Sequence, residues 1–371
     1  MRRRGLLAGG IALVAVVALA APSDSDALER RADQEAQEQV LAWQEQDLGA
    51  YLAMRDINPE WDFMARTFVV LALANRSLEG GDHLATIDAI IADTLAVEAE
   101  GGHEYFLLSY GRHGGWVGDG RSLFVDGEIA IMMAARRVVD DSAWETEVQQ
   151  RVDRVAADLA GGALPESYPD EGWLFCHSMA LAALVLHDHV SGQDHRPVID
   201  GWLERARRDL VDPGSGLLVS SFKTNGEWLD GPEGSSIFLA ATNLQLVDPE
   251  LAQRQYELAK EELGSSVLGM GYAREWPKSW TGPRDVDSGP IVPLIQASPS
   301  SSGFALLASA AFDDRRWHRQ LVRALGAADT LIAVDPEMAA MADNAVGNAV
   351  LLYADSFGPL WAEVLGEPAE S

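Results

Sequence analysis

Hydrophobic and polar positions follow two helical patterns that alternate along the chain. One pattern has an apolar stripe opposite a charged face, as at residues 196–210, and predicts helices that lie on the surface. The other is apolar nearly all round, as at residues 173–190, and predicts helices surrounded by other helices. The amphipathic stretches are 28–55, 82–100, 143–160, 196–210, 248–263 and 314–332, and the apolar stretches are 67–75, 128–139, 173–190, 235–247, 303–312 and 344–357.

The connections between these stretches also alternate in length. Short turns lead from each apolar stretch to the next amphipathic one, and mostly long loops rich in Gly, Pro, Trp and Asp lead back. Six helical hairpins in two concentric layers, with the long loops on one face, form an all-α (α/α)6 toroid. An irregular helical solenoid is the alternative, although it does not require a long loop at every second junction. We therefore predict a single toroidal domain over residues 36–366.

The N-terminus predicts export. Three arginines, Arg2 to Arg4, precede an apolar run over residues 5–21, a pattern typical of a signal peptide. The run is also just long enough for an uncleaved membrane anchor. We predict that residues 1–22 are a signal peptide or membrane anchor and that residues 23–35 are a polar linker. The protein is then periplasmic or extracellular, or anchored to the membrane by residues 5–21.

Composition and charge exclude several classes of function. The 371 residues include 28 basic and 57 acidic side chains, for a formal net charge of −29, and a single cysteine. Such acidity argues against nucleic-acid and anionic-lipid partners, since both are bound by clusters of Lys and Arg. One cysteine excludes an internal disulfide and cysteine-based metal centres. We predict a small-molecule substrate, with no metal and no cofactor.

The richest chemistry lies in the loop that ends where the third apolar stretch begins. A cysteine in the first turn of a helix can have its pKa lowered by the helix dipole, which makes it a better base or nucleophile. A buried, inert cysteine is the alternative. A histidine that follows it directly points about 100° away on the helix and is not automatically its partner. This segment contributes Ser167, Tyr168, Asp170, Glu171, Trp173, Cys176 and His177.

Acidic residues stand near the start of every apolar stretch. Carboxylates there commonly cap helices and complement the helix dipole. If the toroid brings them to one mouth, they could instead perform general acid–base chemistry. The six positions are Asp62, Asp126, Asp170, Glu233, Asp287 and Asp343, and two further loops add Asp230, Arg274, Glu275, Trp276 and Asp285.

Several motifs resemble one known family. The segment Ser167-Tyr168-Pro169-Asp170-Glu171 and Cys176 correspond to a Cys-Glu-Pro-Asp-Asn motif with a second cysteine nine positions after the first. The likeness continues through Asp188 to Gly192, Asp194, and Asp209-Leu210-Val211-Asp212-Pro213. Arg274-Glu275 and Asp285-Val286-Asp287-Ser288-Gly289 resemble an Arg-Glu and an Asp-x-Asp-Gly-Gly pattern. In these features the chain is similar to the linalool dehydratase/isomerase family, most closely over residues 166–222.

This resemblance implies an exported (α/α)6 barrel and a reaction. In the family, two cysteines, a histidine and an Asp/Tyr pair surround an allylic alcohol and remove or shift its hydroxyl without metal or cofactor. Here Cys176 corresponds to the second cysteine, Ser167 replaces the first and Gly127 replaces the histidine. The family also implies a homo-oligomer with sites near subunit contacts.

Three functions follow as hypotheses. The first is an exported, cofactor-independent lyase or isomerase acting on a small hydroxylated substrate such as a terpenoid. The second is a glycoside hydrolase or polysaccharide lyase, because α/α toroids also support carbohydrate chemistry. The third is a non-catalytic envelope protein that binds a ligand. For the first hypothesis the catalytic residues are Cys176, Asp170, Asp287, Glu171 and Ser167, and the substrate-binding residues are Tyr168, Trp173, His177, Asp126, Glu233, Asp230, Arg274, Glu275, Asp285 and Trp276.

Overall fold

The computed structural model describes residues 25–112, 114–284, 291–292, 295–332 and 345–366. The all-α class is confirmed, because helices dominate these residues and only two small sheets accompany them. The helices of the described residues are α1 (Ser25–Glu45), α2 (Gly49–Ile57), α3 (Pro59–Leu78), α4 (Leu84–Gly101), α5 (Leu123–Val139), α6 (Glu145–Asp158), α7 (Leu174–Ser191), α8 (Arg196–Asp209), α9 (Gly234–Val247), α10 (Pro249–Glu262), α11 (Pro299–Ala311), α12 (Arg315–Ile332), α13 (Ala345–Ser356) and α14 (Pro359–Leu365).

The six apolar stretches form helices that contact one another in a closed cycle. Helix α3 packs on α5, α5 on α7, α7 on α9, α9 on α11, α11 on α13, and α13 returns to α3. In α5 every residue from Leu123 to Arg137 is buried, as expected for a helix that lacks a polar face. This order of contacts is the one that the predicted toroid requires, and the toroidal shape itself stays a prediction.

The amphipathic helices pack on the outside of this cycle. Helix α8 illustrates how, because it buries Ile199, Trp202, Leu203 and Ala206 along one stripe and turns its charged side chains outward. Likewise, α6 contacts both α5 and α7, while α10 contacts α9 and α12 contacts α11. These inner–outer pairs confirm the two kinds of helix that the hydrophobic pattern predicts.

Helix α14 lies across one end of the cycle and was not predicted. It contacts α3, α5, α7 and α9. The Leu360 amide donates to Asn75 Oδ1 in the last turn of α3, at 2.9 Å, and Trp361 Nε1 donates to the Thr242 carbonyl of α9, at 3.2 Å. Leu360 and Trp361 are buried. The helix therefore covers the ends of the inner helices that lie opposite the long loops.

The structure departs from the sequence expectations in three further places. The first amphipathic stretch is divided into α1 and α2 at Gln46, whose φ of 55° ends the helical path. Helix α1 begins at Ser25, so residues of the expected linker are helical. Two antiparallel sheets occur in the loops, β1 (Gly172–Trp173) with β2 (Ser221–Phe222), and β3 (Gly264–Val267) with β4 (Met270–Ala273). Within the described ranges, no helix is long and apolar enough to cross a membrane.

Candidate functional site

A tight turn shapes the loop in front of α7. The Glu171 amide donates to the Tyr168 carbonyl at 2.8 Å, with Pro169 and Asp170 at the corner of the turn. Asp170 has a φ of 54°, a left-handed conformation that Asp tolerates better than most residues. The buried Glu166 carboxylate anchors the loop, because it accepts hydrogen bonds from the backbone amides of Asp170, Val117 and Gly118.

The same loop is fastened to the start of α5. The Leu123 amide donates to the Glu166 carbonyl at 2.7 Å, and the Ser122 hydroxyl donates to the Ser167 carbonyl at 2.6 Å. These bonds hold the Ser167 side chain between α5 and α7, fully buried. The Ser167 hydroxyl lies beside the Cys176 thiol and has no nitrogen or oxygen partner among the described residues.

Cys176 is buried in the first turn of α7 but remains 5% exposed. Burial raises the pKa of its thiol well above the ordinary value, and the Ser167 hydroxyl lowers it by less. Negative charge on Glu128 or Glu60 raises the thiol pKa further. The expectation that the helix dipole lowers this pKa is therefore wrong for this site. The group is a neutral thiol at physiological pH, and a neutral thiol is a poor nucleophile.

Glu128 on α5 is a second buried acid at this point. Its side chain is 0% exposed. Neither carboxylate oxygen has a hydrogen-bond partner at normal distance and angle among the described residues. Burial raises the pKa of Glu128 to about 8, while the Thr67 hydroxyl of α3 lowers it by less. At neutral pH the carboxyl is therefore mostly protonated. Glu128 was not among the predicted site residues.

Aromatic side chains from four inner helices pack together beside the position of Cys176 in the chain. The ring of Phe175, its neighbour in the chain, is 5.8 Å from that of Phe304 on α11 and 6.4 Å from that of Phe68 on α3. Phe68 also stacks on Tyr353 of α13 at 6.0 Å. The Tyr353 hydroxyl is buried without a hydrogen-bond partner in the described part of the chain. The surroundings of Phe175 are therefore largely apolar, with the Tyr353 hydroxyl as a polar group among the rings.

A second set of polar residues lies where the long loops meet the inner helices. The Tyr168 hydroxyl donates to Glu60 at the start of α3 and accepts the Leu108 amide at 2.9 Å. The ring of Tyr110 stacks on that of Tyr168 at 4.5 Å, and its hydroxyl donates to Glu171 at 3.2 Å. Trp173 Nε1 also donates to Glu171. Predicted residues Tyr168, Glu171 and Trp173 thus belong to one connected cluster with Glu60.

Asp126 lies on the outer side of α5, away from Cys176. Its buried carboxylate accepts from Arg121 at 2.7 and 2.9 Å, from Arg154 at 3.1 Å, and from Arg151. Burial raises the pKa of Asp126, but the hydrogen bond with Arg121 and the surrounding guanidinium charges outweigh it, and the pKa is lowered. A carboxylate held by three arginines joins α5 to the outer layer.

His177 also points outward. Its ring lies 6.0 Å from that of Trp202 on α8 and 5.1 Å from that of Phe222, and its Nδ1 bonds the Trp173 carbonyl at 2.8 Å. Burial lowers the pKa of His177 to about 4, so the imidazole is neutral. It fills the layer between inner and outer helices, which follows from the angle of about 100° that separates it from Cys176 on the helix.

Each of the other predicted carboxylates contacts different residues. Asp170 accepts from the Thr224 hydroxyl at 2.9 Å, and Asp230 accepts from Ser221 at 3.0 Å. Glu233 is buried at the N-cap position of α9, where its side chain makes no capping hydrogen bond. Asp62, in the first turn of α3, pairs with Arg66. Glu233 therefore does not cap α9 through its side chain, contrary to the expectation. At α3 the capping side chain is that of Asn58 and not that of Asp62.

The loop after β4 serves the packing of two helices. The buried Glu275 carboxylate accepts the hydroxyls of Ser235 at 2.8 Å and Ser301 at 2.7 Å, and that of Ser298, so it joins the starts of α9 and α11. Arg274 is half-buried and donates weakly to the carbonyl of Trp276, which is buried. Asp285, Asp287 and Asp343 lie outside the described residues.

The structure thus brings together Ser167 and Cys176 with Glu128, and Tyr168, Glu171 and Trp173 with Glu60. Sequence reasoning missed both glutamates. Glu60 lies in the first turn of α3, where an acidic residue is ordinary, whereas Glu128 lies inside an apolar stretch, where a charged side chain is unexpected. In the described part of the chain, no cluster of three or more His, Cys, Asp or Glu side chains could hold a metal ion. No protein-family model matches the chain.

Proposed function

We propose that the protein is an exported lyase or isomerase of the linalool dehydratase/isomerase type. It acts without a cofactor on a small hydroxylated substrate such as a terpenoid alcohol. The observation that carries the proposal is that Cys176 and a second acid, Glu128, are both buried between apolar helices, near enough for negative charge on Glu128 to raise the thiol pKa. Both groups hold their protons at neutral pH, because burial raises both pKa values.

Proton-bearing acids suit the removal of a hydroxyl. Hydroxide is a poor leaving group, so a dehydration is accelerated when an acid protonates the departing oxygen. The positive charge left on carbon is stabilised by aromatic faces, and Phe68, Phe175 and Phe304, which pack together at the first turn of α7, supply such faces. A dry site strengthens both effects, since electrostatic interactions are larger at low dielectric.

Access from the loop end supports the same function. Phe175 is 9% exposed and Cys176 is 5% exposed, whereas Met179 and Ala180, one turn further along α7, are fully buried. Helix α14 covers the opposite end of the inner helices. In this proposal a substrate reaches the thiol past the cluster of Tyr168 and Glu171.

Conversion of allylic alcohols by the purified protein tests the proposal. We expect dehydration or isomerisation by the wild type and a loss of turnover in Cys176→Ala. Ser178→Ala is the matched control, because Ser178 is buried on the same helix and bonds the Phe175 carbonyl and Asn243 instead. Equal turnover of wild type and Cys176→Ala would exclude a role for the thiol, and an inactive wild type would exclude the reaction.

A further inference from the structure

We propose that Glu128 is the proton donor of this site, the group that transfers a proton to the leaving hydroxyl of the substrate. This inference rests on the proposed function and gives it a specific acid. It concerns a residue outside the predicted catalytic set, and three independent features of the structure support it: the direction of the side chain, its missing partners and its neighbours.

Helix packing directs the Glu128 side chain inward. Its neighbour Gly127 faces α7 so closely that an added Cβ would lie 3.2 Å from the Cβ of Ala180. Asp126, two positions before Glu128, points to the outer arginines. Because successive helical residues are about 100° apart, positions two apart face nearly opposite sides. Glu128 therefore faces inward, where Thr67 and Cys176 lie.

The carboxyl lacks the partners that a structural role would supply. Buried carboxylates in proteins are normally paired or hydrogen-bonded, since desolvation of an unpaired charge costs several kcal/mol. The neighbouring Asp126 follows this rule with three arginines, and Glu275 follows it with three serines. Glu128 has neither kind of partner among the described residues. A buried carboxyl that lacks a charged partner is held in its protonated form, as a proton donor must be.

The proposed reaction needs neither an oxidant nor a reductant. The carboxyl proton moves to the substrate hydroxyl, the carbon–oxygen bond breaks, and its electron pair leaves with water. The Glu128 carboxylate then removes a proton from the carbon next to the cation, which forms the alkene and restores the acid. In an isomerisation, water adds to the other allylic carbon instead and returns its extra proton to Glu128. Atoms and charge balance in both outcomes.

The neighbouring thiol has a supporting place in this arrangement. When Glu128 is ionised after the first transfer, its charge disfavours a thiolate at Cys176, since Glu128 raises the thiol pKa. The thiol therefore stays neutral and contacts the substrate as a polarisable, weakly hydrogen-bonding wall. At most one of the two groups, Glu128 or Cys176, carries negative charge at any time.

Glu128→Gln tests the inference, because the amide keeps the shape and removes the proton. We expect turnover of an allylic alcohol to fall at least about 100-fold, the range in which general acids contribute. Binding of the corresponding saturated alcohol, measured by calorimetry, is expected to stay within about threefold, which shows that the site is intact. Glu128→Asp is expected to retain part of the turnover.

An infrared measurement separates this inference from the proposed function. The wild type is expected to show the carbonyl band of a protonated carboxyl at pH 7, which disappears in Glu128→Gln and, in the wild type, as the pH rises through about 8. An active wild type together with an equally active Glu128→Gln variant would overturn the inference alone, as would the absence of the band. A wild type that converts no alcohol would overturn the proposed function.

Discussion

The Leu360 amide and the Asn75 side chain are joined by a 2.9 Å hydrogen bond across 285 positions of the chain. Asn75 is fully buried and also donates to the Leu71 carbonyl. It thus connects the first inner helix to the helix that covers the end of the cycle.

Asn75→Ala should therefore destabilise the protein. The variant leaves the Leu360 amide buried without a partner, and we expect a loss of roughly 1–3 kcal/mol in the free energy of unfolding. Urea denaturation followed by circular dichroism measures this. Asn225→Ala is the control, because Asn225 is exposed. Equal midpoints for the two variants would show that α14 does not depend on this bond.

Glu128→Gln should raise the stability of the protein at alkaline pH. The pKa of Glu128 is raised by burial to about 8 from an ordinary value of 4.5, so the folded state binds the proton more tightly than the unfolded state does. The contribution of Glu128 to the free energy of unfolding of the wild type is therefore greatest below about pH 4.5, and it decreases as the pH rises towards 8. The expected loss between pH 5 and pH 8 is on the order of 3 kcal/mol.

The measurement is the unfolding free energy of wild type and variant at several pH values. The difference between them should grow in favour of Glu128→Gln from pH 5 to pH 8 and level off above that. Parallel curves would show that Glu128 is ionised in the folded protein. A residue that lowers stability and yet occupies the core is most readily explained by function.

Asp126→Asn should be strongly destabilising. The substitution removes the carboxylate that Arg121, Arg151 and Arg154 share, and only Arg121 and Arg151 keep a second partner, Glu98. Breaking a buried ion pair from one side costs about 3–5 kcal/mol. Asp200→Asn is the matched control, since its pair with Arg196 is more than half exposed and we expect little change. Thermal unfolding of both variants checks the difference, and a similar small effect in both would contradict the structure.

The thiol of Cys176 should react slowly with a disulfide reagent. Each unit by which a pKa exceeds the ambient pH lowers the thiolate fraction about tenfold, and only the thiolate attacks. We expect the native protein at pH 8 to react more than about tenfold slower than the same protein in denaturant. Because the chain has one cysteine, the released thiol reports this residue alone. Equal rates would place Cys176 at the surface.

The helical architecture was largely predictable from hydrophobic patterning. Helix α9 appears within one residue of its predicted limits, 235–247, because a helix with no polar face stands out between loops rich in Gly and Pro. Helix α14 was missed because seven residues are too few for a periodic signal. The two sheets were missed because their strands are short and lie in loops.

The candidate site was predictable only in part. Cys176 and Ser167 lie together as their positions in one motif suggest. Asp126 and Glu128, by contrast, look equivalent in sequence, and only the helical phase relative to the outer layer separates a structural carboxylate from an inward-facing acid. Asp170 looked catalytic, but its left-handed φ places it at the corner of a turn, bonded to Thr224. Such distinctions depend on tertiary contacts that patterning does not encode.

The cover provided by α14 also has a consequence for the order of folding. Its contacts with α3 join the two ends of the domain, and contacts between residues so far apart in sequence form late, because a long loop must close first. During synthesis the preceding helices therefore exist for a time with an uncovered apolar interior.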